Sequence, residues 1–272
     1  MYSISAHLYN TTSGFDSPTT IASHIHSLLS KNLNHHHKIT PSILDTGCGT
    51  GSITIKIAEQ EPKWCFTGVD QSSAMLAMAK AHTQAHQQKL PITWTQWDIS
   101  SKDDWDNQPK RHYDAILCLC NTINHIPSDK LPVLLNGWAN TLKEKGILIF
   151  DTDTYRMFQE CLDHEPLTVF EDHSQRMIRS CQFDSITAQA HHTTRMEHLT
   201  HGKISRCEEE SHTLFYHPEH QLSELANRYG FQTLSAEPFN PFSDEDMGES
   251  TEDEGEAIYK ILWVLQQSNI ES

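Results

Sequence analysis

The chain has 272 residues, a hydrophobic share of 37% and a net charge of −16 from 20 basic and 36 acidic residues. That length suits one large domain or one domain with a cap, and the charge argues against nucleic acid as a partner. Seven scattered cysteines without a C-x-x-C pair read as reduced thiols of a cytoplasmic protein, and no stretch reads as a signal peptide or membrane span.

Residues 1–16 are polar and irregular, with aromatics at Tyr2, Tyr9 and Phe15. Ser17-Pro18 reads as a helix N-cap followed by proline in the first turn. Ile21, Ala22, Ile25, Leu28 and Leu29 recur at helical spacing, so a helix is expected over 18–33. A histidine cluster, His35–His37, lies in the loop that follows. The apolar run Ser42–Leu44 then ends in Asp45, with glycines at 47, 49 and 51 and an apolar-periodic stretch from Ile53 to Ala58. This pattern predicts a strand over 42–46, a tight glycine turn and a helix over 52–60. Further strands are expected over 64–69, 92–97, 113–120 and 147–150. Helices are expected over 72–88 and from Pro127 to a break at Gly146, while the stretch around Trp105 reads as a polar loop. Strands alternating with helices imply a parallel sheet covered on both faces.

The pattern changes after a short helix over 155–162. Residues 167–171, 177–184, 188–199 and 203–216 read as strands, with a hairpin turn at His201-Gly202. This is the signature of an antiparallel cap inserted in the main domain. A helix over 218–229 ends at Gly230, and strands over 231–235 and 257–265 add an antiparallel edge to the sheet. Between them 244–256 carries eight acids and no lysine or arginine, a solvated loop. The expected division is a covering segment 1–40, a main domain 41–165 with 217–272, and a cap 166–216.

In an open sheet of this kind ligands lie at the carboxyl ends of the strands. The polar residues there are Asp45, Asp70, Asp98, Asn121, Asn124, His125, Asp151 and Asp153. Asp70 follows the glycine turn by about twenty residues, where an acid accepts hydrogen bonds from both ribose hydroxyls. Asp98 suits the exocyclic amine of a base, flanked by Trp97 and Ile99. The glycine spacing is G-x-G-x-G, not the dinucleotide pattern, and no lysine follows it as a P-loop requires. An acid before the glycines repels pyrophosphate and welcomes a cationic amine. A ribose, an adenine and an amino-acid tail together describe S-adenosylmethionine.

Four stretches resemble the class I S-adenosylmethionine-dependent methyltransferases: ILDTGCGTG, FTGVDQSSAMLAMAK, WTQWDIS and YDAILCLCNTINHI. The resemblance covers roughly residues 40–155 and implies a Rossmann-like, seven-stranded, mostly parallel sheet. It implies S-adenosylmethionine as cofactor and S-adenosylhomocysteine as product. Asp45, Gly47, Cys48, Gly49 and Gly51 would surround the methionine part. Asp70, Gln71 and Met75 would hold ribose and adenine, Asp98 and Ile99 adenine. Leu119, Cys120 and Asn121 would pass beneath the sulfonium. Tyr9 resembles an N-terminal tyrosine that closes over the cofactor and takes part in catalysis.

The cap and the Asn121–His125 segment resemble N-methyltransferases of small amines, including amino-sugar dimethyltransferases. His125 is the candidate base, because it follows a strand end and titrates near neutral pH. Asn121 and Asn124 are candidates for orienting substrate, and Asp151, Asp153 and Tyr155 lie within reach of the same space. His82 and His86 are four apart but lack a third ligand, so no metal is expected. The partners expected are a small-molecule acceptor and a second copy of the chain, with neither nucleic acid nor membrane. O-methylation, methylation of a protein, and a non-catalytic S-adenosylmethionine-binding module are the alternative readings.

Overall fold

The computed structural model describes residues 6–8, 18–33, 40–160, 166–239 and 260–268. Tyr9, the histidine cluster at 35–37 and the acidic stretch 244–256 lie outside the described residues. The first helix, α1 (Pro18–Leu33), buries Ile21, Ala22, Ile25 and Leu29. It is followed by β1 (Ser42–Thr46), α2 (Ser52–Gln60), β2 (Cys65–Asp70), α3 (Ser73–Gln84) and β3 (Ile92–Gln96). Next come α4 (Lys102–Asp106), β4 (Tyr113–Cys118), α5 (Leu131–Thr141), β5 (Leu142–Asp153) and α6 (Tyr155–Glu160). The remainder is β6 (Leu167–Glu171), β7 (Gln175–Asp184), β8 (Gln189–Thr200), β9 (Lys203–Phe215), α7 (Glu219–Arg228), β10 (Phe231–Phe239) and β11 (Lys260–Gln267).

Seven strands form the main sheet in the order β10-β11-β5-β4-β1-β2-β3. The pairs among β1 to β5 are parallel, and β11 runs antiparallel between β5 and β10. The expected fold class is therefore observed: a Rossmann-like, mostly parallel sheet with an added antiparallel sheet. The chain moves outward in opposite directions from β1 and β4, so the crevice between their carboxyl ends is a switch point for ligands. One apolar cluster lies on each face. Leu44, Trp138, Phe150 and Trp263 mark one, and Ile25, Ile43, Ile57 and Leu117 mark the other. The second cluster is why α1 forms: its apolar stripe closes over that face of the sheet.

β6 to β9 make a separate four-stranded antiparallel sheet. His201 and Gly202 both adopt positive φ, the backbone of a type I′ hairpin turn. Phe158 of α6 packs with Phe183, Ala190 and Leu214 to anchor one end, and Leu8 packs with Met177 and Met196 further along.

Several boundaries differ from the sequence reading: β10 runs to Phe239 and not 235, β11 to Gln267 and not 265, and α5 spans only Leu131–Thr141 of the stretch from Pro127 to Gly146. The polar loop at Trp105 is the short helix α4. Ser101 caps it by accepting from the Asp104 N–H, two acids occupy its first turn, and Trp105 donates to the Ile99 carbonyl at 2.7 Å. A Cβ on Gly137 would stand 2.1 Å from Trp105, so the glycine of α5 makes the slot for that ring. Helix α3 stops at Gln84 rather than 88. Strand β5 begins at Leu142, ahead of Gly146, and its pairing with β4 shifts register there.

Candidate functional site

The glycine turn is built from the backbone outward. Gly47 and Cys48 both donate their N–H groups to the Val69 carbonyl, at 2.8 and 3.0 Å, which ties the turn to the end of β2. Gly47, Gly49 and Gly51 all have positive φ, yet they do different work. A Cβ on Gly47 would meet Thr122 at 2.2 Å, and one on Gly51 would meet Trp94 at 2.5 Å. These two are packing glycines. A Cβ on Gly49 would meet nothing within 4 Å, because it faces an open cavity.

That cavity, of about 350 Å³, lies over the ends of β1, β2 and β4. Its wall holds three carboxylates (Asp45, Asp70 and Asp98) and, among the described residues, no lysine or arginine. Asp70 accepts the Gly49 N–H at 2.9 Å on one oxygen and the Ser72 N–H at 2.8 Å on the other. Each oxygen keeps a lone pair for a further donor. Burial pushes the Asp70 carboxyl above its ordinary range, against the pull of those two bonds. Asp45 is 5% exposed and accepts from the Thr54 hydroxyl. Burial pushes its carboxyl up to about 6; the Thr54 bond pulls down and the charge of Asp70 adds to the rise. Asp98 accepts from the Ser100 N–H and hydroxyl on one oxygen, while its own N–H donates to Asp104, so α4 fixes this stretch of the wall.

Of the residues expected to hold a cofactor, Asp45, Gly47, Cys48, Gly49, Asp70, Gln71, Met75, Asp98, Ile99, Leu119 and Cys120 all line this cavity. Gly51 stands behind it against Trp94. The Cys48 and Cys120 thiols are both pushed up by burial and sit far from a nucleophilic state. Lining residues that the sequence reading passed over are Pro18, Ile21, Ser72, Ser100, Thr122 and Ile126. Thr122 was hidden because its role is spatial: its hydroxyl lies 3.3 Å from the Gly47 carbonyl across 75 residues.

The turn after β4 is strained. Cys120 and Asn121 both take positive φ, a backbone state that non-glycine residues rarely adopt. The Asn121 N–H donates to Asp151 at 3.3 Å, and Asp151 in turn accepts from Lys260 at 3.1 Å. Lys260 is fully buried and also bonds Asp153. Burial alone would pull its ammonium down, but the two carboxylates outweigh that and hold it above its ordinary range. Asp151 and Asp153 are thus engaged by Lys260, not free to meet an acceptor. Asn124 is likewise committed: it donates to the Phe215 carbonyl at 3.0 Å and accepts the Asp153 N–H at 3.1 Å. Tyr155 packs edge-on against Phe183 and Tyr216. Asn121 is not among the lining residues. His125 is, and the cap brings His212 to it with ring centroids 5.1 Å apart. Burial, with the charge of His212 next, pulls the His125 imidazole well below its ordinary value, so it is neutral at pH 7.

Known proteins share this fold. Residues 43–146 match a family described as "Methyltransferase domain". A protein of Geobacillus sp. (strain WCH70) that carries the name of a methyltransferase is 27% identical over 213 residues, covering 77% of this chain and 81% of its own. An S-adenosylmethionine-dependent methyltransferase from Clostridium acetobutylicum superposes with a TM-score of 0.74 at 20% identity, over 97% of this chain and 98% of its own. A sugar N-methyltransferase from Streptoalloteichus sp. superposes with a TM-score of 0.63 at 20% identity, over 91% and 87%. The fold is that of the class I methyltransferases.

Proposed function

We propose that the protein transfers a methyl group from S-adenosylmethionine to the nitrogen of a small-molecule amine. The observation that carries the donor half is the cavity wall: three carboxylates and no lysine or arginine among the described residues. Such a wall opposes phosphate and favours a ligand with cationic centres and hydroxyl donors. S-adenosylmethionine, when bound, supplies a methyl group on a sulfonium. Asp45 takes the α-ammonium, and the open face of Gly49 leaves room for the tail. Asp70 accepts from the ribose hydroxyls with the lone pairs that Gly49 and Ser72 leave. Asp98, Ile99, Trp97 and Met75 form the base end.

The amine half rests on His125 and the cap. In-line displacement needs positioning and exclusion of water, which the cap supplies over the end of β4. An amine arrives protonated and must lose that proton before it attacks. His125 is neutral, lines the cavity and so serves as the proton acceptor. The likeness of the fold to a sugar N-methyltransferase supports the same reading. The covering role of 1–40 and the acceptor-binding role of 166–216 belong to this proposal. Calorimetry with S-adenosylmethionine and S-adenosylhomocysteine tests the donor, and both should bind. A labelled-methyl transfer screen of metabolite fractions, read by mass spectrometry, tests the acceptor. Label appearing only on hydroxyl or carboxylate products would overturn the amine assignment.

A further inference from the structure

His125 does not stand alone. Register pairing places Cys181 of β7, His192 of β8 and His212 of β9 side by side on one face of the cap sheet. The His192 and His212 rings stack nearly parallel, 5° apart in plane, with centroids at 5.3 Å. His212 then meets His125 at 5.1 Å across the domain boundary, tilted by 54°. Cys181 Sγ lies 3.3 Å from His192 Nε2. Three imidazoles therefore run in file from the cavity wall into the cap. The rows on either side are of different character. Two residues along each strand in one direction lie Phe183, Ala190 and Leu214, which are apolar; in the other lie Arg179, Thr194 and Glu210.

We propose that His125, His212 and His192 form one proton-handling row, in which His125 takes the proton of the acceptor amine and the two cap histidines set how readily it is held. This rests on the amine reading above. The acceptor ammonium gives one proton to the row and becomes a neutral amine. Its nitrogen pair forms the new bond to the methyl carbon, and the carbon–sulfur pair returns to sulfur as a neutral thioether. The product leaves as an N-methylammonium ion, and the row releases one proton to solvent per transfer.

Two cations cannot share so small a file of rings without repulsion, so the row takes up at most one proton at a time. The groups facing His125 are His212 and His192 from the cap and, farther off, Lys260, all of which disfavour its charge. Those facing His212 are His192 and Arg179, which disfavour its charge, and Glu210, which favours it. Burial opposes charge at both rings, and at His212 the net effect is a value of about 4. The same desolvation weakens an ammonium held beside the row. The donor's sulfonium adds to this, so the proton is driven from the acceptor just where the two substrates meet. His212 and His192 act through His125 and are positioning residues.

The test is a histidine-selective NMR titration of the full chain. In the native protein the His125 and His212 resonances should each move in two shared steps. In His212→Gln and in His212→Asn, His125 should titrate in one step with its midpoint shifted upward. His192→Gln should raise the His212 midpoint. His191→Gln, on the opposite face of β8 where His191 meets Thr213, should change neither. Independent single-step curves in the native protein would overturn the proposal even if both His212 variants failed to fold. So would a His125 midpoint unmoved in a folded variant. The acid limb of methyl transfer to an amine should shift with the same midpoint, which a packing defect would not produce. Coupled titration with methyl transfer only to oxygen would fail the amine reading and remove the proton source assigned here. Uncoupled titration with amine methylation would fail the row alone.

Discussion

Asp45 is the residue whose replacement should separate stability from binding. Burial pushes its carboxyl from an ordinary 3.8 up to about 6. The folded chain therefore holds this proton more tightly than the unfolded chain. Ionised Asp45 opposes folding, and the ligand-free protein loses stability as pH rises through that window. A rise of about two units corresponds to ~3 kcal/mol. Asp45→Asn removes that penalty at pH 7 and weakens the Thr54 bond by ~1 kcal/mol. The variant should thus be more stable than the native chain by ~2 kcal/mol when no ligand is present. Its affinity for S-adenosylmethionine should move the other way. Loss of a hydrogen bond between charged groups costs ~1.5–3 kcal/mol, or about 10- to 150-fold in Kd. In the native chain a proton on Asp45 competes with the ligand ammonium, so affinity should fall about tenfold per pH unit below about 6. It should be level above that and fall again past about pH 8, where an α-amino group loses its own proton. Urea denaturation of the ligand-free protein and calorimetry across this range read both quantities. An affinity that stays flat from about pH 5 to about pH 7, or an Asn variant that binds as tightly as the native chain, would refute the reasoning.

The other predictions concern the turn, the ribose acid and the buried lysine. Gly49→Ala should fold with a loss of ~1–2 kcal/mol from its left-handed backbone but lose donor binding, because its Cβ enters the cavity. Gly47→Ala should instead unfold the turn against Thr122, visible as a much lower Tm. Asp70→Ala should weaken calorimetric binding of both S-adenosylmethionine and S-adenosylhomocysteine by ~1–3 kcal/mol; equal affinity in variant and native chain would clear it of the ribose role. Lys260→Met leaves Asp151 and Asp153 buried without their cation and should cost ~3–5 kcal/mol in denaturant unfolding.

The parallel half of the fold was legible because each strand is a short apolar run stopped by an acid or a turn. β1, α1 and α2 fall on the residues their periodicity marks. The four cap strands were legible from alternation, within a few residues at each end. What was missed is local and small. Helix α4 is one turn of acidic sequence, and only the slot at Gly137 explains why Trp105 holds it down. The antiparallel edge was expected, but that β11 and not β10 meets β5 was not readable, since strand order is decided by packing and not by chain order. At the site, residue type revealed the acids and glycines, because their chemistry is in their spacing. Lys260 was invisible for the opposite reason. Its partners lie 109 and 107 residues away, and a lone lysine at the start of a strand carries no pattern. His212 and His192 were lost in two strands of alternating polar residues until register aligned them.

The turn at 120–126 joins these parts, and its supports respond to pH with a sign opposite to Asp45. The turn is held from three directions: by Asp151 of β5, by Asn124 reaching the Phe215 carbonyl of β9, and by His217. His217 Nε2 lies 3.1 Å from the Ile126 carbonyl and so donates to it, as the chain leaves the cap. Burial pulls the His217 imidazole down to about 4, against the hydrogen bonds to the backbone that favour its charge. An unfolded histidine takes up its proton near pH 6.5, so the unfolded chain binds more protons between the two values. Stability supplied by neutral His217 is complete above that window and declines by ~3 kcal/mol as pH falls through it. Asp45 gains over part of the same range, while His125 and His212 lose with His217, so the two regions diverge. Hydrogen exchange at about pH 5 should therefore show faster opening at 120–126 and at the β9 end than at the β1 turn. Uniform protection across both would mean that the cap and the donor floor open as one unit, and the clamp through Asn124 and His217 would be the reason.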